Sequence, residues 1–290
     1  MVNEHRRAEI NTALPVSATG RRMTTKILYE EMTWPETKEA VAEGRVVMIP
    51  VGTTEQHGHH LPLSTDVLCC YSVCKKVAEN ASRDAVVLPP IWYGFNEHHK
   101  DFPGTLWVDW HSFISYLIDI GTSVAHHGFK RIVFVNGHGS NTPFTQIAAR
   151  KITNTTEAIC AALNYWDFGQ EAAKKVRESD WPGGMAHACE LETSLLLYLA
   201  PNLVDMSKAK KDMSFQKSKY IYWDLQGGAV GGTVAFMDFW SRMSKTGVIG
   251  DPTLATKEKG ELIFNAIVEG LADFIREFRK REIRKRIDHH

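Results

Sequence analysis

The sequence of 290 residues lacks any apolar run that approaches the roughly 18 residues needed to span a bilayer. Residues 1–26 are polar and lack the apolar segment of a secretory signal. We therefore expect a cytoplasmic protein without a membrane partner, in which residues 1–26 form a flexible N-terminal arm.

The sequence also lacks an excess of either charge, because Lys plus Arg and Asp plus Glu each number 34. A formal net charge of zero creates no overall field that would attract nucleic acid. Cysteine is scarce and odd in number, with five residues that form no metal-type pairs of pairs. Reduced, mostly buried thiols of a cytoplasmic protein are the expected state of these side chains.

Short apolar runs rich in β-branched residues alternate with longer segments of helical periodicity. The predicted strands are 45–51, 85–92, 131–135 and 158–163, and the predicted helices are 66–80, 110–127, 143–153 and 187–199. This alternation is typical of a layered α/β domain with a largely parallel sheet. We predict a single domain over residues 27–288. The Gly-rich segment 226–233 follows no clear strand and lacks the Lys-Ser/Thr of a P-loop, which favours a loop over a phosphate cradle.

Two polar clusters follow directly after predicted strands. The first contains Glu55, His57 and Asp66, and the second contains His138. Ligands bind beyond the carboxyl ends of strands in open α/β sheets, so both clusters are expected to open onto one crevice. A lone histidine after a strand is usually a hydrogen-bonded loop residue. Carboxylates and imidazoles grouped in this way favour a site for zinc, manganese or iron, although spacing alone leaves the reaction open.

A third polar cluster, His187 to Ser194, lies at the start of a predicted helix. Taken alone, Glu190, Thr193 and Ser194 suit the first turn of a helix, where the helix dipole favours acidic and capping side chains. The local pattern therefore favours a structural role for this cluster.

Together these motifs resemble the ordered signatures of the creatininase family (creatinine amidohydrolase-like proteins). The matching segments are Glu55-Gln56-His57-Gly58, Leu61-Pro62 with Thr65-Asp66, Phe102-Pro103-Gly104-Thr105, Asn136-Gly137-His138-Gly139, His187-Ala188 with Glu192-Thr193-Ser194, and Gly250-Asp251-Pro252 with Glu258-Lys259-Gly260. They run in order from about Glu30 to a C-terminal helix, which we expect to end in the basic run 276–286, so only the N-terminal arm is left uncovered.

The resemblance implies a three-layer α/β sandwich with a central, mostly parallel sheet, two divalent metal ions and often a hexameric assembly. Carried over to this sequence, Glu55 and His138 would bind one ion, His57 would bind the other, and Asp66 would bridge them. His187 stands at the position of the family's catalytic histidine, which moves protons during amide cleavage. Two ions can share a hydroxide and polarise a substrate carbonyl.

The sequence departs from true creatininases two residues beyond His138, where those enzymes have a glutamate and this chain has Ser140. Without a replacement the second ion would lack a carboxylate ligand. In relatives with a Gly-rich version of this loop, the Glu of the Glu-Thr-Ser motif is positioned to serve, so we nominate Glu192 as the replacement. This assignment supersedes the helix-dipole interpretation of Glu192, and a site that holds one ion firmly is the alternative.

The substrate pocket is altered as well, because creatininases cover a flat ring with tryptophans near the catalytic histidine. Trp181 lies in the corresponding segment but is displaced relative to His187, and Trp166 is the other candidate. We predict that Ser140 and Trp181 bind substrate, with core or interface packing as the alternative for both tryptophans. The segment 94–99, with His98 and His99, is expected to line the pocket or a subunit contact. Creatinine is therefore not our first choice of substrate.

The leading hypothesis is metal-dependent hydrolysis of a C–N amide bond in a small cyclic or linear amide, such as a lactam, a formamide or a creatinine-like compound. Zinc is the expected metal, with manganese or iron as alternatives. A short peptide or a lactone cleaved at the same site is a second hypothesis. A metal-binding scaffold without turnover is a third, and the complete ligand set with His187 counts against it.

Overall fold

The computed structural model describes residues 25–226 and 232–290. The predicted N-terminal arm lies almost entirely outside the described residues, as does 227–231 of the Gly-rich segment. Within the described part of the chain, no helix combines the length and the apolar character that crossing a membrane requires.

A four-stranded parallel sheet forms the centre of the fold. Its strands are β1 (Val46–Val51), β2 (Ala85–Val87), β3 (Arg131–Asn136) and β4 (Ile159–Asn164), in the order β2-β1-β3-β4. The parallel sheet predicted from the sequence is confirmed. The predicted strand 85–92 is too long, because Pro89 and Pro90 have no N–H to donate and regular pairing stops after Val87.

Seven short 3₁₀ helices, a two-stranded antiparallel ribbon and eight α-helices complete the regular elements of the described residues. The helices are α1 (Trp34–Ala42), α2 (Thr65–Asn80), α3 (Trp110–His126), α4 (Thr142–Thr155), α5 (Gln170–Val176), α6 (Glu190–Leu199), α7 (Trp240–Met243) and α8 (Lys257–Lys280). The ribbon pairs β5 (Met185–His187) with β6 (Ile249–Gly250). The predicted helix 187–199 begins at Glu190 instead, because Ala188 adopts a left-handed backbone with φ 49°.

Both faces of the sheet are buried, which gives the three-layer arrangement. Side chains alternate along β1, so Val46 and Met48 join one core with α2, α6 and α8, whereas Val47 and Ile49 join a second core with α3 and α4. The longest helix, α8, is amphipathic, and its N-cap is Thr256, whose hydroxyl accepts a hydrogen bond from the Lys259 N–H at 3.2 Å.

The register of the sheet decides where the functional loops emerge. Val51 at the end of β1 is the partner of Asn136 at the end of β3. The chain therefore leaves these two adjacent strands side by side at the same edge, as expected for the carboxyl ends of parallel strands.

Candidate metal centre

The loops that follow β1 and β3 approach the first turn of α2 closely. A Cβ atom at Gly52 would lie 2.6 Å from a Val67 methyl carbon, and one at Gly137 would lie 2.8 Å from the Asp66 carbonyl oxygen. Only glycine permits such an approach. The two glycines thus let the strand ends close on Asp66.

Five predicted ligands converge at this point, and all of them are buried. They form two groups that share Asp66, one with Glu55 and His138 and the other with His57 and Glu192, and within each group the ligand atoms lie within 4.8 Å of one another. The structure therefore brings together side chains from two strand ends and the first turns of α2 and α6.

The distances show how Asp66 divides its two oxygens. His138 Nδ1 lies 3.2 Å from Asp66 Oδ2 and 3.2 Å from Glu55 Oε1. His57 Nε2 lies 3.0 Å from Asp66 Oδ1 and 3.8 Å from Glu192 Oε1. One carboxylate oxygen of Asp66 thus faces each group.

The chemistry of these atoms fits divalent cations. Both carboxylate oxygens of Glu55, and His57 Nε2, are buried and make no well-aligned hydrogen bond among the described residues, because their near neighbours are other members of the two groups. Burying such groups without well-formed hydrogen bonds is unfavourable, and a bound cation would satisfy them. Imidazole nitrogens and carboxylate oxygens are the donors that zinc and manganese accept.

The carboxylates also control the protonation of the two histidines. Burial lowers the pKa of His138, but the charges of Glu55 and Asp66 and their hydrogen bonds outweigh burial and raise it to about 10. Burial likewise opposes the charge on His57, and Asp66 and Glu192 raise its pKa well above the ordinary value. Since a ligating imidazole must be neutral, cation binding has to release these protons.

Neighbouring groups orient the ligands. Thr53 Oγ1 donates a 2.7 Å hydrogen bond to Asp66 Oδ2. His57 Nδ1 lies 3.2 Å from the Glu55 carbonyl oxygen, so it carries the proton and leaves Nε2 facing the carboxylates. Such second contacts fix the tautomer and the ring orientation of metal ligands.

His187, at the end of β5, lies against the ligand groups. Its Nε2 donates to the Gln56 carbonyl oxygen at 2.9 Å, which leaves Nδ1 unprotonated and 3.7 Å from Glu55 Oε1. Burial, and then the charge of His57, lower the pKa of His187 to about 3. The His187 ring is therefore neutral with a free lone pair directed at the site. Its ligand atom also converges with those of Glu55 and His57 within 4.8 Å.

Sequence reasoning missed the group that supports this histidine. The Gln56 amide donates to His99 Nδ1 and to the Gly247 carbonyl oxygen, each at 3.0 Å. Trp240 stacks on His99 at a centroid distance of 4.3 Å. Gln56 lies inside the recognised Glu-Gln-His-Gly motif and could have been found there, whereas no local pattern marks Trp240.

Two adjoining cavities open at the site. A small cavity of about 30 Å³, here called the ligand cavity, is lined by Asp66, His138, His187 and Glu192 together with Trp166, Trp223 and Trp240. A cavity of about 800 Å³, here called the wide cavity, lies beside it. Both are lined by His98, Gly139, Ser140 and Trp223, which we call the neck.

The two predicted substrate-binding residues have different positions. Ser140 lies in the neck, with its hydroxyl 3.1 Å from His98 Nε2. Trp181 is 53% exposed and packs against Tyr222 and the Arg177 guanidinium. It lines neither cavity, so within this chain the geometry does not support its predicted role. The tryptophans at the ligand cavity are Trp166, Trp223 and Trp240, and of these only Trp166 was considered from the sequence.

The fold and the site define an α/β protein with a buried cluster of ligands suited to divalent cations. Residues 30–275 match the family model Creatininase, described as creatinine amidohydrolase. The chain is 33% identical over 272 residues to the creatinine amidohydrolase of Pseudomonas putida, covering 88% of this chain and 98% of that protein. It is 35% identical over 240 residues to the mycofactocin precursor peptide peptidase of Mycolicibacterium smegmatis, covering 80% of this chain and 84% of that protein.

Solved structures agree with these relatives. A creatininase variant in a Zn–Zn form superimposes with a TM-score of 0.75 at 32% identity, covering 89% of this chain and 100% of that chain. The chain therefore belongs to the creatininase family, whose enzymes are hydrolases, and the resemblance stated from the motifs is confirmed.

Proposed function

We propose that this protein is a binuclear metal-dependent hydrolase that cleaves the C–N bond of an amide. The observation that carries the proposal is the position of the Asp66 carboxylate, whose two oxygens face two separate groups of buried candidate ligands. The Zn–Zn form of the similar creatininase variant supports a pair of ions, and a manganese creatininase among the similar structures supports a choice between zinc and manganese.

In this proposal Glu55 and His138 hold one ion, His57 and Glu192 hold the other, and Asp66 contacts both. A pair of divalent ions supplies an activated water and polarises the substrate carbonyl. Thr53 fixes the orientation of Asp66 through its 2.7 Å hydrogen bond. The low exposure of the five ligands keeps other water away from the reacting bond.

His187 is proposed to move the proton. Its Nδ1 is free and faces the site, so it can accept a proton there and pass it to the leaving nitrogen.

Glu192 is proposed to replace the glutamate that is absent at Ser140. Its carboxylate lies 3.8 Å from His57 Nε2. Ser140 instead holds His98 at the neck, where a substrate must pass. The exchange would keep a carboxylate on the second ion and open the neck.

The substrate class stays a proposal. A small cyclic or linear amide is the first candidate, and a short peptide is the second because the wide cavity has room for one. The peptidase named among the relatives is consistent with the second candidate. A cytoplasmic location remains a prediction from the N-terminal sequence and the cysteines, and a hexameric assembly remains a prediction from the family resemblance.

The test is metal content by elemental analysis, together with hydrolysis of a panel of lactams, formamides and short peptides. We expect about two ions per chain in the wild type, and about one, with activity lost, in Glu192→Gln. Glu261→Gln is the control, since it removes a carboxylate charge from an exposed position of α8 outside the ligand groups. One ion or none in the wild type would contradict the binuclear site.

A further inference from the structure

The ligand cavity is too small to hold a whole substrate. Its volume of about 30 Å³ is close to the share of liquid volume that one water molecule occupies. Only the scissile bond and its nearest atoms can therefore reach the ligand groups. The remainder of any substrate must extend outward through the neck.

Beyond the neck lies the wide cavity, and its size suits a larger molecule. At about 800 Å³ it falls within the roughly 300–1,000 Å³ of sites that hold drug-sized ligands. Both cavities are lined by His98, Gly139, Ser140 and Trp223, so they adjoin at these residues, and one molecule would extend from the first into the second there.

The walls of the wide cavity are mainly apolar. They include Phe95, Phe144, Trp223, Met237 and Phe239. The rings of Phe95 and Phe144 pack together at a centroid distance of 4.6 Å, and Met237 is 76% exposed. Large apolar side chains grouped and open to solvent in this way mark a binding surface, since covering them is favourable.

The charged residues of this cavity are already paired within the chain. Arg242 forms an ion pair with Asp238 at 2.9 Å, and Glu97 forms one with Lys100 at 3.1 Å. Among its described lining residues the wide cavity thus offers a ligand apolar surface and no unpaired carboxylate, lysine or arginine. A charged ligand body would lose hydration and would have to compete with these pairs for a partner.

We propose that the natural substrate is an amide whose body, beyond the scissile C–N bond, is a bulky uncharged apolar group. That group sits in the wide cavity while the carbonyl reaches the ligand groups past Ser140 and Trp223. This inference rests on the proposed function and adds the class of substrate to it. Hydrolysis adds water across the C–N bond and releases the acid and the amine.

The experiment uses N-methylformamide, N-butylformamide and N-benzylformamide, which share one scissile bond and differ only in the apolar body. Formate release by the metal-loaded enzyme gives kcat/KM for each compound. We expect an increase of about fourfold per buried methylene, hence about sixtyfold from the methyl to the butyl compound, with the benzyl compound at least as fast. Met237→Ser is expected to reduce the benzyl-to-methyl ratio several-fold. Ile287→Ser, equally exposed at 76% but outside both cavities, is the matched control and leaves the ratio unchanged.

A second measurement does not depend on turnover. Calorimetric titration of the metal-free protein is expected to show binding of N-benzylformamide with a negative heat-capacity change, and much weaker binding of N-methylformamide. Phe144→Leu should weaken the binding of N-benzylformamide and leave the binding of N-methylformamide unchanged.

The outcomes separate the two proposals. Equal kcat/KM values for the three formamides, with no selective binding, would overturn the apolar substrate and leave the hydrolase standing. Selective binding of the benzyl compound by a protein that holds no metal and hydrolyses no amide would overturn the hydrolase and support the apolar selectivity of the wide cavity.

Discussion

Two glutamates in the first turn of α6 are both buried, yet they have opposite surroundings. Glu190 receives a 2.6 Å hydrogen bond from Lys259 Nζ and further bonds from the N–H groups of Glu178 and Ser179. Glu192, two residues later, has His57 Nε2 at 3.8 Å and the Cys189 thiol at 3.8 Å. Among the described residues, no lysine or arginine forms an ion pair with Glu192.

The difference distinguishes a structural carboxylate from a candidate ligand. A buried carboxylate is stable when a cation and N–H donors replace its lost hydration, as they do for Glu190. Burial raises the pKa of Glu190, but Lys259, Ser179 and Glu178 outweigh burial and lower it below the ordinary value. The basic side chains nearest to Glu192 and Glu55 are histidines of the same two groups, so a divalent cation would complete the surroundings of both carboxylates.

The largest effect is expected at Asp66, the residue common to both ligand groups. Asp66→Asn is expected to reduce bound metal sharply and to lower hydrolysis by about a thousandfold or more, because the Lewis-acid contribution of metal ions amounts to several kcal/mol. Elemental analysis and initial rates check this result. Asp84→Asn, which changes a carboxylate paired with Arg279 away from the ligand groups, should keep both metal and rate.

The His187→Gln variant tests whether His187 transfers a proton or binds metal. We expect metal content to stay at the wild-type value while kcat falls by roughly 10²–10⁴, the usual contribution of general acid–base catalysis. Glutamine can still donate to the Gln56 carbonyl oxygen. Loss of one ion in this variant would instead make His187 a ligand, together with Glu55 and His57.

Removing the partner of the structural carboxylate should affect stability and leave metal content unchanged. Lys259→Met leaves the buried Glu190 carboxylate without its lysine partner. We expect it to lower the free energy of unfolding by about 3–5 kcal/mol, measured in urea. The pKa of Glu190 is lowered in the folded state, so its contribution is present above the ordinary carboxyl pKa and is lost as pH falls. The difference between wild type and variant should therefore shrink in acid. A stability loss of the same size at every pH would refute this explanation.

The smallest effect is expected at Thr53, which supports a ligand without being one. Thr53→Val removes the 2.7 Å hydrogen bond to Asp66 and should weaken metal binding by about 10–100-fold. Competition with a chelator measures the affinity. Thr145→Val is the control, since it removes a buried hydroxyl that bonds only within its own helix region, and its metal affinity should match the wild type.

Much of the fold follows from local pattern. The apolar β-branched runs place β1, β3 and β4 within a residue or two of their observed bounds, because strands buried on both faces need such runs. The hydrophobic pattern gave wrong bounds for two elements, because the backbone conformation or the missing N–H group of one or two residues ended or delayed them. Prolines cut the second strand short after Val87, and the left-handed Ala188 delayed the start of α6 to Glu190.

The candidate ligands divide in the same way. Glu55, His57 and His138 could be identified from sequence because they directly follow strands, and parallel strands end at one edge of the sheet. Glu192 needed the family resemblance, since its local pattern equals that of Glu190, and only packing gives the two carboxylates different partners.

The sequence by itself determined the layered α/β architecture, the edge of the sheet that carries polar side chains and the ligand types found there. Those features depend on periodicity and on strand direction, which are local properties of the chain. Tertiary structure alone decided that Trp223 and Trp240, rather than Trp181, lie over the ligands, and that an apolar cavity adjoins them. Trp223 lies outside the regular elements and Trp240 begins the four-residue α7, and no repeat pattern there specifies which distant side chains the two residues meet.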